Sequence, residues 1–86
     1  MKYKLADQVS LTEVDDESVL LDLNSGAYYG LNHVGTMLMG YLHDQKTPEF
    51  ASAAIAEQYQ TPYITVARDI ELLVQQLLEH KLIVEC

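Results

Sequence analysis

The sequence is short of cations: five Lys and Arg stand against 13 Asp and Glu, a formal net charge of −8. This balance argues against nucleic acid as a partner, because affinity for a phosphate backbone rests on clustered Lys and Arg. It disfavours an anionic membrane surface for the same reason. The single cysteine, Cys86, has no intrachain partner for a disulfide, which fits a reducing compartment. No apolar run approaches the ~18 residues of a membrane span, and the start MKYKLADQVSL lacks the apolar core of a signal peptide. The expected location is therefore cytoplasmic, with no membrane association.

Groupings that carry chemistry are equally scarce. Gly26, Gly30, Gly35 and Gly40 are spaced for turns and helix contacts and form no phosphate-binding loop. His33, His43 and His80 each lack a second ligand at i+3 or i+4, so no metal site is expected. The carboxylates Asp15, Asp16 and Glu17 fall in one polar run, which reads as a solvated turn. No catalytic residue and no cofactor are assigned, and the chain is expected not to be an enzyme.

What is present is a folding pattern. A length of 86 residues and a hydrophobic content of 49% suit one small domain over residues 1–86, too small to hold a deep catalytic cleft beside its core. Residues 1–7 read as a lead-in. A first strand is expected near Gln8 to Val14 and a second from Val19, where Val19, Leu21 and Leu23 alternate with Leu20 and Asp22. Asn24, Ser25 and Gly26 make a turn in which glycine supplies φ > 0. The third strand, Ala27 to Leu31, is an edge unless the first strand curls round to cover it, and Gly30 leaves a gap on it that lets another backbone come close.

The period then changes from 2 to 3.6. Asn32 is a helix N-cap, and Val34, Leu38, Tyr41 and Leu42 carry a first helix to about His43. Thr47-Pro48 starts a second helix running to about Tyr59, and Thr61-Pro62 repeats the signal for a third running to about His80. On a wheel of ~100° per residue, Val66, Ile70, Leu73 and Leu77 form the core stripe of the third helix. A second apolar flank, Ile64, Ala67, Val74 and Leu78, either packs on a neighbouring helix or lines a groove. Leu82-Ile83-Val84 ends the chain as a short strand or tail returning to the sheet.

This is an α+β layout: a winged helix-turn-helix with a three-stranded antiparallel sheet followed by three helices. A winged helix often reads DNA with its third helix, but here that helix carries Asp69, Glu71 and Glu79 against Arg68 alone. The unpaired third strand fits peptide binding better, with Ala27, Tyr28, Tyr29, Gly30 and Leu31 supplying the backbone ladder. Ile64, Ala67, Glu71, Val74 and Leu78 are the expected side of the groove, with Glu71 placed to meet a basic or hydroxyl group. A bare structural role, with the edge used for dimerisation, is the competing reading.

The run VLLDLNSGAYYGLNHVG, then AAIAEQY, then ARDIELLVQQLLEHKLI resembles the PqqD-like family, the peptide chaperones also called RiPP recognition elements. The resemblance spans Gln8 to Val84. It is most specific at Tyr28-Tyr29-Gly30-Leu31-Asn32, with support from Arg68-Asp69 and Leu82-Ile83, and departs at Lys81, where members often have Gly. It implies a winged helix that binds the leader region of a ribosomally made precursor peptide as an added strand on the third strand beside the third helix. The free-standing members of lasso peptide biosynthesis are the most similar, which implies a leader peptidase and a cyclase as partners. Members that chaperone the pyrroloquinoline quinone precursor for a radical enzyme are the nearest alternative.

Overall fold

The computed structural model describes all residues from Met1 to Cys86. In chain order the elements are β1 (Tyr3–Leu5), β2 (Val9–Val14), β3 (Glu17–Asp22), β4 (Tyr28–Leu31), α1 (His33–His43), α2 (Pro48–Tyr59), α3 (Tyr63–Glu79) and β5 (Ile83–Glu85). Strands β2, β3 and β4 form the expected antiparallel sheet, in that order. The three helices follow it in sequence and share its core.

Two expectations about the chain ends are corrected. Residues 1–7 are not a mere lead-in, because β1 lies within them and pairs antiparallel with β5, Leu5 opposite Ile83. The closing segment therefore returns to β1 and not to the three-stranded sheet. Leu82 and Ile83 set buried side chains in the core, and the bonds across this pair run from the Ala6 N–H to the Leu82 carbonyl at 3.0 Å and from the Cys86 N–H to the Lys2 carbonyl at 2.9 Å. The alternation of Tyr3 and Leu5, both packed against the core, was the available signal.

The sheet buries the opposite phase from the one suggested by Val19, Leu21 and Leu23. Ser18 and Leu20 are buried, whereas Val19 and Leu23 are exposed. Pairing places Leu11, Leu20 and Tyr29 in one row on the core side, and Ser18 opposite Leu31. A polar residue ends up inside because it has a partner: the Ser18 and Thr36 hydroxyls are 2.8 Å apart, tying the sheet to α1.

The local start and stop signals mostly hold. Gly26 has φ of 77° in the β3–β4 turn, where the Asp22 carboxylate accepts from the Asn24 N–H at 2.9 Å. Asn32 caps α1 by accepting from the Gly35 N–H at 3.0 Å, and Thr47 caps α2 by accepting from the Phe50 N–H at 3.1 Å. The α3 start differs: Pro62 stands at the cap position and the Thr61 hydroxyl donates to the Tyr59 carbonyl instead. Replacing Asn32 with alanine removes a cap from the strand-to-helix junction and is expected to lower stability by about 1 kcal/mol in denaturant titrations.

The core gathers Leu20 and Leu31 from the sheet, Leu38, Met39 and Leu42 from α1, Ala51 and Ile55 from α2, and Val66, Ile70, Val74 and Leu77 from α3. Of the expected α3 stripe, Val66, Ile70 and Leu77 are buried, while Val74 takes the remaining place and Leu73 is only half-buried. Gly35 permits a close approach of α1 to both Leu31 and Leu73. A Cβ there would lie 3.2 Å from Leu31 Cβ and 3.3 Å from Leu73 Cδ2, so its bare Cα lets α1 settle between β4 and α3.

Candidate functional site

The outer edge of β4 is unpaired, since its one sheet neighbour is β3. Which backbone groups face outward follows from the ladder. The Asp22 N–H donates to the Ala27 carbonyl at 2.8 Å, and the register pairs Leu20 with Tyr29 and Ser18 with Leu31. Antiparallel strands alternate hydrogen-bonded and non-bonded pairs, so Ala27, Tyr29 and Leu31 turn their backbone groups toward β3. Tyr28 and Gly30 turn theirs outward, offering two N–H donors and two carbonyl acceptors to an added strand.

Beside this edge, between β4, α1 and α3, lies a cleft of about 460 Å³. Its apolar surface comes from Leu31, Val34, Ile70 and Leu73, and its polar rim from Asn32, Asp69 and Gln76. Tyr29 links the strand to the C-terminal end of α3: its hydroxyl donates to Gln76 Oε1 at 3.3 Å, and its ring lies 5.3 Å from that of His80. The cleft therefore sets an apolar floor, with Asp69 on its rim, beside a free backbone ladder, and a ladder next to side-chain pockets is what strand-addition sites use.

Of the expected site residues, Ala27, Tyr28, Tyr29, Gly30 and Leu31 lie on or beside this edge, with Tyr29, Gly30 and Leu31 lining the cleft itself. The structure sets the expected α3 flank apart from this cleft. None of Ile64, Ala67, Glu71, Val74 and Leu78 lines the cleft; Val74 is core, and Ile64, Glu71 and Leu78 are exposed on the other side of the Ile70–Leu77 stripe. Asp69, Leu73 and Gln76 stand in their place. An apolar stripe has two flanks, and only the position of the sheet decides which one meets β4. No group of three or more His, Cys, Asp and Glu side chains converges as a metal would require.

Fold and edge together define a winged-helix domain with one open strand beside a lined cleft. The chain belongs to the PqqD family: the profile described as coenzyme PQQ synthesis protein D matches residues 17–83. It is similar to TbiB1, solved in complex with the TbiA(β) leader peptide, at 36% identity over 93% of each chain with a TM-score of 0.86. It is also similar to a lasso peptide synthetase B1 complexed with the leader peptide, at 27% identity over 99% of this chain and 100% of that one, with a TM-score of 0.90. No curated protein sequence matches it.

Proposed function

We propose that this protein is a non-catalytic module that binds the leader region of a ribosomally made precursor peptide and presents it to a processing enzyme, a leader peptidase of a lasso-type pathway. The leader adds as an antiparallel strand to β4, bonding to Tyr28 and Gly30 and setting its inward side chains in the cleft. The observation that carries the reading is the open β4 edge standing directly against the Leu31, Val34, Ile70 and Leu73 floor. Two similar chains whose structures hold leader peptides support it. The family's description points to coenzyme PQQ synthesis, but the likeness to a lasso peptide synthetase B1 over nearly the whole of both chains favours the lasso assignment.

Ordering a flexible peptide costs roughly 2–5 kcal/mol, so the ladder alone gives little affinity and anchors in the cleft must supply the rest. Leu73 is the central apolar contribution of α3 to that cleft. With a fluorescein-labelled TbiA(β) leader peptide as probe, polarisation titrations are expected to show binding that weakens about tenfold in Leu73→Ala. Leu72→Ala, one position along and 56% exposed away from the cleft, is expected to bind as the parent does. Absence of binding, or equal loss in both variants, would refute the site.

A further inference from the structure

Gly30 has no use within the fold. Its φ is not positive, and a Cβ added to it would meet nothing within 4 Å, so neither backbone conformation nor internal packing requires glycine. A glycine inside a strand weakens it and often marks a place where something from outside comes close. The cleft does not account for the gap. Tyr29 and Leu31 turn their side chains to the cleft side, so the bare position at Gly30 opens onto the other face of the sheet.

On that outer face Gly30 pairs with Val19, and beyond it Val14 pairs with Glu17. The missing side chain leaves a notch of about 400 Å³, bordered by Val19, Val14, Asn32, Glu17 and Asp15. Its floor is apolar and its far rim is acidic. From Leu5 to Gln45 the chain has no Lys or Arg, and the basic side chain beside this rim is His33, whose Nδ1 lies 3.3 Å from the Asp16 carbonyl.

An added strand would place one residue in a hydrogen-bonded pair with Gly30. Paired residues share a face, so that residue's side chain would project onto the outer face beside the notch. Strands lie about 4.8 Å apart, which sets the guest backbone roughly 10 Å from β3, two spacings away. Any side chain at position 30 would stand in between. With none there, a long unbranched stem can lie across Gly30 onto Val19 and bring its end to Glu17 and Asp15. Lys and Arg have that shape, an apolar stem with a cationic head.

Building on the peptide-binding reading, we propose that the notch is a specificity subsite: it takes a Lys or Arg of the bound peptide, at the outward-facing position opposite Gly30. The cleft then reads the inward side chains of the strand, and the notch reads one outward side chain. A single extended segment is gripped on both faces. Glu17 and Asp15 act on the peptide's charge alone and touch no part of the backbone ladder.

The test is a lysine scan of the labelled TbiA(β) leader peptide, with norleucine at each same position as the neutral counterpart of equal stem length. At one position, lysine is expected to bind about threefold to fivefold tighter than norleucine at low salt, the range for a partly exposed ion pair. That ratio should fall close to one in Glu17→Gln/Asp15→Asn and in Gly30→Val, and should persist in Glu79→Gln at the far end of α3. A ratio near one at every position, or one that survives loss of both carboxylates, overturns the subsite while peptide binding itself stands. No binding by any peptide of the scan overturns the peptide-binding reading and the subsite with it.

Discussion

Leu20→Ala is expected to lower the unfolding free energy by about 3–4 kcal/mol, the range for a fully buried leucine truncated in a core that relaxes only in part. Leu20 is fully buried on β3, the middle strand, in the row between Leu11 and Tyr29, where the sheet meets the helices. A chain of this length has a total stability of about 4–13 kcal/mol, so one truncation removes a large share of it. At roughly 4–8 °C per kcal/mol for a domain of this size, the melting temperature should drop by about 12–32 °C, followed by circular dichroism. Val19→Ala, its neighbour on the outer face, is expected to change stability by less than about 1 kcal/mol. The pair is a direct check on the phase of the strand. Greater damage from Val19→Ala would mean that the sheet buries its other face.

That phase shows where the sequence was readable and where it was not. Turn and cap chemistry is local, so the Asn24–Gly26 turn, the Asn32 and Thr47 caps and the boundaries of α1 and α2 could be read within a residue or so. Period-2 alternation marked β3 as a strand but was ambiguous about its buried side, since Val19, Leu20, Leu21 and Leu23 give both faces apolar residues. The deciding feature was Ser18, a polar residue that is buried because Thr36, eighteen positions later, completes its hydrogen bond.

The expected α3 flank lies away from the cleft for a related reason. Its apolar arc extends to both sides of Ile70, and the choice of side is made by Gly35, which lets Leu31 and Leu73 approach across α1. The flank that lines the cleft also has the weaker hydropathy signal, because Asp69 and Gln76 interrupt it. The β1–β5 pair was missed because each strand is only three residues long and its partner lies at the opposite end of the sequence. The open edge itself was legible, since the order of the hairpins leaves the last strand with one neighbour unless another segment covers it.

Gly30→Pro is expected to leave the fold in place and weaken leader-peptide binding by about 30-fold or more. The ring removes an N–H that points to solvent, whereas the bonds to β3 belong to Ala27, Tyr29 and Leu31, so the existing ladder loses nothing. Edge strands tolerate proline where the N–H faces away from the sheet, and the preceding Tyr29 is already in the extended conformation that proline favours. There is also room, since nothing lies within 4 Å of a Cβ at this position. For an added strand the consequences are severe. The guest carbonyl that would accept from Gly30 is left without a donor inside the new interface, a loss of about 1–3 kcal/mol, and the ring's Cδ stands where that carbonyl must come. Together these exceed about 2 kcal/mol, which is the 30-fold change. Gly30→Val separates the ladder from the space above it: the N–H remains, and a β-branched residue in place of glycine should raise strand stability by roughly 0.5–1 kcal/mol. Thermal melts and polarisation titrations of the three proteins measure both quantities at once. Parental affinity in Gly30→Pro would show that the peptide does not bind by extending this sheet.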